Sequence, residues 1–388
     1  MRLFIHALGA SAGGGLTYLR NLLPQLAART DVSVTVLAGN SARDAVSNFN
    51  NIEILDISVE NRGVLSRFWW EQREIPAFIR KAGAEVLLST GNFAVWNSPV
   101  PQILLSRNSL YTSTDFSSDL RRRNEYRMWA DTRLKGYIAR KSIQRAHLTL
   151  APSEAFAQEL RAWSGHDVSV LHHGFNGDYF FQDRAPLSSE IEATVRGTEG
   201  AARLLFVSHY NYYRNFETLL RAVALVKERR PSGRIRLLLT CELAPGKNPG
   251  SYRTEEASAL LRDLKIEEEV VQLGAIPYRQ LHHLYKLSDV YVSPAYTETF
   301  AHPLVEAMAC GMPIVASDLP VHREITDGAG LFFDRFSPSG LADKITHLLD
   351  SPALRADLRQ RGLRRAQSFS WKDHADRLVA MASAIAAR

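Results

Sequence analysis

The stretch Ser293-Pro-Ala-Tyr-Thr-Glu-Thr-Phe-Ala-His-Pro-Leu-Val-Glu-Ala-Met-Ala-Cys-Gly-Met-Pro-Ile-Val-Ala-Ser-Asp318 sets two carboxylates, Glu298 and Glu306, inside an otherwise apolar run. Asp289-Val-Tyr-Val-Ser293 just before it reads as a short buried strand. Pro303 suits the first position of a helix, where its missing N–H costs nothing. Gly311 and Pro313 end that helix, and Ile314-Val-Ala-Ser317 opens another strand. The order is strand, acidic loop, short helix, strand. Glu306, in the first helical turn, has two readings. One is a charge that complements the helix dipole. The other is a ligand site, with free N–H groups facing an anion and a carboxylate accepting bonds from sugar hydroxyls.

Glu298-x7-Glu306 followed by Ala307-Met-Ala-Cys-Gly-Met-Pro313 resembles the signature of glycosyltransferase family 4. Members of that family are retaining enzymes that use nucleotide sugars. The resemblance implies an α/β chain with the GT-B fold, two Rossmann-like domains with a deep interdomain cleft. It implies that Glu306 binds the ribose hydroxyls and Glu298 contacts the donor sugar. Phe300, Ala301, His302 and Leu304 then line the substrate side. Ala301 stands where the family usually has Gly.

Working outward, 388 residues suit two domains of ordinary size, and 45% hydrophobic with 23% charged residues is a globular composition. Cys241 and Cys310 are the two cysteines, too few for a disulfide framework and without metal-ligand spacing, which fits a reducing cytoplasm. The start, Met1 to Leu8, reads as a first strand and not as a signal peptide. No apolar run reaches the length of a membrane span. A net charge of +6 favours acidic partners.

The first strand, Leu3 to Ala7, leads into Gly9-Ala-Ser-Ala-Gly-Gly-Gly15, a helix from Leu16, and a strand Val32 to Ala38. The glycine spacing is not GxGxxG, and the second strand ends at Asn40 with no acid for a ribose, which argues against NAD. Adjacent glycines opening a helix let backbone amides approach a phosphate or sugar. In the family this loop lies across from the donor, which implies that Gly14 and Gly15 bind substrate. The loop after the strand Gln102 to Ser106 carries Arg107-Asn108 where the family often has His-Asp, so no catalytic histidine transfers there.

Residues 121–145 hold nine Lys and Arg against Glu125 and Asp131, with Tyr126, Trp129, Leu134, Tyr137 and Ile138 at a roughly helical period. Two readings stay open: an inward-packing helix with a solvated basic face, or contact with anionic lipid or acceptor phosphate. Nucleic acid is not expected, because no recognised binding motif accompanies the charge. His172-His-Gly174 resembles the family's interdomain turn, and residues from there to Gly200 read as a polar linker. The domains are thus 1–174, acceptor-side, with helix 371–388 packing back on it, and 175–370, nucleotide-sugar-binding.

After the strand Arg203 to Ser208 comes His209-Tyr-Asn-Tyr-Tyr-Arg-Asn215. A basic residue between a strand and a helix N-terminus is where a diphosphate is held, and Arg214 is the first candidate, with Asn215 beside it. The family usually places Arg and Lys here, so the resemblance puts His209 at the Arg position and Arg214 at the Lys position. The expected function is transfer of a sugar from a UDP- or GDP-sugar to a hydroxyl of a glycan, lipid-linked or small-molecule acceptor, as in polysaccharide biosynthesis. Arg214, Glu298 and His209 are the expected catalytic residues, with no metal or other cofactor required. The protein is placed in the cytoplasm or at the inner membrane face. The alternatives are an epimerase or phosphorylase on the same fold, or a donor-binding partner without activity.

Overall fold

The computed structural model describes residues 1–9, 13–39, 49, 51–57, 64–182, 186–231, 233–248 and 252–387. Residues 10–12 of the glycine loop and Asn40 lie outside them. The chain forms two compact units. One comprises Met1–Ser113, Leu120–Gly174 and Ser370–Arg388; the other comprises Thr114–Asp119 and Phe175–Phe369.

The first unit is built on strands β1 (Arg2–His6), β2 (Ser33–Ala38), β3 (Ile52–Asp56), β4 (Val86–Ser89), β5 (Gln102–Leu105), β6 (Leu148–Ala151) and β7 (Ser169–Val170). They pair in the order β3-β2-β1-β4-β5-β6-β7, all parallel. Parallel strands covered on both faces read as continuous apolar runs, and Val86–Ser89 and Gln102–Leu105 are buried at every position. Leu3 and Ile5 of β1 face a core that includes Trp371, Leu378 and Val379 of the last helix, Trp371–Ala386.

The second unit repeats the plan with β8 (Ala202–Phe206), β9 (Ile235–Leu239), β10 (Val270–Gln272), β11 (Val290–Ser293), β12 (Ile314–Ser317) and β13 (Gly330–Phe333). Their order is β10-β9-β8-β11-β12-β13, again all parallel. In both sheets the first strand of the unit lies beside the fourth. There the chain reverses its direction of travel across the sheet and opens a crevice at the strand ends.

Several local expectations change. The basic segment breaks into Thr114–Arg122 and Tyr126–Arg145. Its aromatic stripe is not core: Tyr126 and Tyr137 are 60% exposed and Leu134 is 43% exposed, while Gly136, Ile138, Ala139, Ser142 and Ile143 form the buried face. The expected linker contains the helices Gly177–Phe181 and Ser189–Arg196. Gly174 is required by packing, since a Cβ there would lie 2.2 Å from the Trp371 amide nitrogen.

Candidate functional site

The crevice of the second sheet lies at the ends of β8 and β11, and the connections that leave those strands carry most of the expected residues. After β8, a short turn Tyr212–Arg214 ends at Asn215, whose backbone is left-handed at φ 55°. The Asn215 amide donates to the carbonyl of Pro294 at 3.1 Å and to that of Arg335 at 2.6 Å. The Tyr296 N–H donates to the Tyr213 carbonyl at 3.0 Å. These bonds fasten the Arg214 turn to the loop that follows β11. Arg214 Nη1 consequently donates to Glu298 Oε2 at 2.5 Å, and Glu298 Oε1 accepts from the Thr299 N–H at 3.0 Å.

This pair is mostly shielded from water, with side-chain exposures of 21% for Arg214 and 13% for Glu298. Burial alone would raise the pKa of Glu298, but Arg214 and the Thr299 N–H outweigh it and hold the carboxyl below its ordinary value. Burial likewise opposes charge on Arg214, yet Glu298, with Tyr213 and Tyr291 beside it, leaves its pKa raised. Both side chains are therefore charged at neutral pH. The Arg214 guanidinium lies 5.1 Å from the centre of the Tyr213 ring, and its Nε–H is buried without a hydrogen-bond partner. A cation with one hydrogen unspent can still take a phosphate oxygen.

Glu306 sits in the helix His302–Ala309 and is 4% exposed. Burial pushes its carboxyl up to about 7, against hydrogen bonds from Tyr285 and Tyr278 that lower it. Tyr285 Oη donates to Glu306 Oε2 at 2.9 Å. Two carboxylates one short segment apart are thus shifted in opposite directions, Glu306 upward by burial and Glu298 downward by Arg214 and the Thr299 N–H.

Ala301 caps this helix with φ 63° and ψ 59°, a left-handed conformation that glycine takes freely and alanine does not. Phe300, Ala301 and Leu304 are buried, and the Phe300 ring packs 4.8 Å from that of His302. Asn215 spends its amide hydrogens on the two carbonyls that hold the turn. His209 is exposed, and its carbonyl accepts from Ser208 Oγ and Asn211 Nδ2. The structure thus brings Arg214, Glu298 and Asn215 together and leaves the His209 imidazole in solvent.

Gly14 and Gly15 belong to the first unit, in the opening turn of the helix Gly13–Ala27. A Cβ on Gly14 would meet nothing within 4 Å, so open space surrounds it. Its carbonyl accepts from Arg107 Nη1 at 3.1 Å, while Arg107 Nη2 donates to the Thr90 carbonyl at 2.8 Å. Among the described residues no three His, Cys, Asp or Glu side chains converge as a metal site.

Three features of the second unit escaped the sequence reading. The segment Thr114–Asp119 joins it from far upstream: Asp119 accepts from Tyr296 Oη at 2.9 Å, Asp115 pairs with Arg335 at 2.8 Å, and Phe116 packs edge-on to Tyr213. Tyr285, a hydrogen-bond donor to Glu306, is the second. His322, fully buried after β12, is the third; a lone histidine just past a strand end was the signal available for it.

Comparison with known proteins matches residues 12–179 to the family model described as Glycosyltransferase Family 4 and residues 189–365 to that described as Glycosyl transferases group 1. A curated relative, the D-inositol 3-phosphate glycosyltransferase of Pseudarthrobacter chlorophenolicus, is 31% identical over 228 residues, 55% of this chain and 53% of the relative. The chain therefore spans about half the length of the curated relatives it matches. Among solved structures, sucrose-phosphate synthase from Thermosynechococcus elongatus superposes with a TM-score of 0.78 at 19% identity, covering 98% of both chains. The Anabaena protein HepE in complex with UDP-glucose gives 0.72 at 16% identity, covering 99% of this chain and 100% of that one. Such likeness shows the fold, which is the α/β, two-unit GT-B class.

Proposed function

The chain belongs to glycosyltransferase family 4, and from that premise we propose that it is a retaining glycosyltransferase that moves a sugar from a nucleoside diphosphate sugar to a hydroxyl acceptor. The observation that carries this reading is the shielded Arg214–Glu298 pair at the crevice of the second sheet, with Glu306 on the helix that follows. As the bond between the anomeric carbon and the phosphate breaks, negative charge grows on the departing diphosphate. Arg214 neutralises it with a donor already in place, which lowers the barrier more than a cation that must first be recruited. Glu298, charged and anchored through Thr299, orients the sugar by accepting from its hydroxyls, and Glu306 accepts from the ribose. The donor is a UDP- or GDP-sugar, and UDP-glucose is the ligand in the HepE complex that shares the fold.

For the acceptor, the curated relatives are named for inositol 3-phosphate, which makes a phosphorylated polyol the first compound to test. A lipid-linked acceptor is the second. The exposed Tyr126, Leu134 and Tyr137 among the arginines of 121–145 suit an anionic membrane surface, and no described helix is long and apolar enough to cross one. The free Cys241 and Cys310 fit the reducing cytoplasmic side.

A thermal-shift panel of UDP, GDP, ADP, CMP and dTDP tests the donor site. The matching nucleotide at about 100 times its dissociation constant adds roughly 2.7 kcal/mol of apparent stability. A flat response to all five removes the assignment. The exposure of His209 favours one second reading, donor binding without turnover. Nucleotide binding with no nucleoside diphosphate released in the presence of any acceptor would establish that instead.

A further inference from the structure

The end of β12 carries a group with no task in the site described so far. His322 lies in the helix Pro320–Thr326 with none of its surface exposed. Its Nδ1 is 2.9 Å from the Ser317 carbonyl oxygen, which only accepts, so Nδ1 carries the proton. Ser317 Oγ, 3.2 Å from the same nitrogen, spends its own hydrogen on the Ala295 carbonyl and is free to accept from Nδ1 as well. Burial lowers the pKa of the ring, which is therefore neutral at neutral pH. The tautomer is fixed, and Nε2 is left as a bare acceptor.

That Nε2 has no hydrogen-bond partner. The ring is near enough to Glu298 and Arg214 to feel the charge of each. Arg214 contributes the complementary vacancy, a buried Nε–H without an acceptor. Buried polar groups left unpaired are costly, and one molecule can relieve both. It must present an acidic oxygen to the guanidinium and a hydroxyl hydrogen to the imidazole. A sugar joined to a phosphate has both within a few bonds.

We propose that His322 is a specificity-determining residue of the donor site: its Nε2 accepts a hydrogen bond from one hydroxyl of the transferred sugar, alongside the hydroxyls taken by Glu298. This rests on the donor-site reading given above. A bare acceptor in a buried setting admits a hydroxyl or an amine at that sugar carbon and rejects hydrogen, fluorine or an ether there. The rejection is strong because the unsatisfied nitrogen has no water to turn to.

Calorimetric titration of UDP against UDP-glucose, and of GDP against GDP-mannose, tests this on the wild type and on His322→Asn. The asparagine amide keeps a donor for Ser317 and has no atom at the Nε2 position. In the variant the nucleoside diphosphate binds within about twofold of wild type, while the matching nucleotide sugar loses about tenfold. Parallel loss of both ligands, or loss of neither, overturns the proposal. Donors lacking one sugar hydroxyl at a time supply a test independent of the variant's folding. On the wild type one of them binds about tenfold more weakly than its parent, and a series that all bind alike overturns the proposal. Failure of every nucleotide to bind the wild type overturns the donor-site reading itself and this inference with it, so the two failures are told apart by which protein shows them.

Discussion

The crevices of the two sheets each receive an arginine from a loop that leaves a strand, and the two arginines differ in what they touch. Arg107 donates to the carbonyls of Gly14 and Thr90 and lies 5.1 Å from the centre of the Tyr18 ring. None of these is an acid, and burial lowers its pKa. Arg214 meets Glu298 directly and its pKa is raised. Both keep a buried Nε–H without a partner. Arg107 follows β5 and Arg214 follows β8, and in each case the partner decides the role. A guanidinium satisfied by carbonyls is a strut that ties loops together. One balanced by a carboxylate is a charge that a ligand can compete for.

The largest expected effect comes from breaking the acidic partnership. Arg214→Ala lowers kcat/KM for the nucleotide sugar by about 100- to 1,000-fold, the scale for losing one preorganised donor. It also costs about 3 kcal/mol of folding stability, because Glu298 is left shielded and unpaired. Denaturant unfolding of Arg214→Ala and of the double variant with Glu298→Gln separates the two. The double variant recovers most of the stability and none of the turnover. Recovery of turnover would return Arg214 to the class of Arg107.

The next effect contrasts the two carboxylates. Burial raises Glu306 to about 7 against an ordinary 4.5, so the folded state prefers its proton. Stability from that preference is complete below the ordinary value and is lost as pH rises through about 7, on the order of 3 kcal/mol. Glu306→Gln flattens that decline in a pH series of unfolding curves. With Glu306 in its proposed role as ribose acceptor, nucleotide affinity is expected to rise with pH up to about 7, and this too vanishes in the variant. Glu298 runs the other way: its pKa is lowered, its stabilisation is present above the ordinary value, and it is lost as pH falls through the lower one. Nucleotide affinity of Glu306→Gln that still climbs between pH 5 and 7 would mean another group controls it.

How far the sequence reached follows the same physics. Apolar runs, glycines and prolines act locally, so the strands β8, β11 and β12 and the helix at Pro303 were readable within a residue or two. The Glu298–Glu306 spacing marks a candidate site because charge inside an apolar run needs a reason. What the sequence could not show are contacts made across long stretches of chain. Arg214 and Glu298 were both candidates, but their pairing joins residues 84 apart. Asp119 reaches Tyr296 across 177 residues, and no local pattern announces it. The stripe Tyr126, Leu134 and Tyr137 leaves two readings open in the sequence because helical periodicity identifies a face and not what covers it. The sequence does not single out His322, because its orphaned nitrogen is a property of the fold.

Two smaller effects sharpen the comparison. Arg107→Ala costs about 2 kcal/mol in unfolding experiments, since two carbonyls lose a charged donor, and leaves UDP affinity within about twofold of wild type. Loss of UDP binding there would show that Arg107 does more than tie loops together. Ala301→Gly relieves the left-handed backbone at the helix cap while loosening the unfolded chain, and raises stability by less than about 1 kcal/mol by thermal denaturation. A marked loss would show that the Ala301 methyl packs usefully at 5% exposure.

We propose that the crevice of the second sheet binds a nucleoside diphosphate sugar through the Arg214–Glu298 pair. Its most direct test is calorimetric titration of UDP-glucose and GDP-mannose into the wild type and into the Arg214→Ala/Glu298→Gln double variant, whose charges remain balanced. Saturable binding of one nucleotide sugar to the wild type is expected, with a loss of at least about 100-fold in the double variant. Equal affinity in both proteins, or no binding to either, contradicts it.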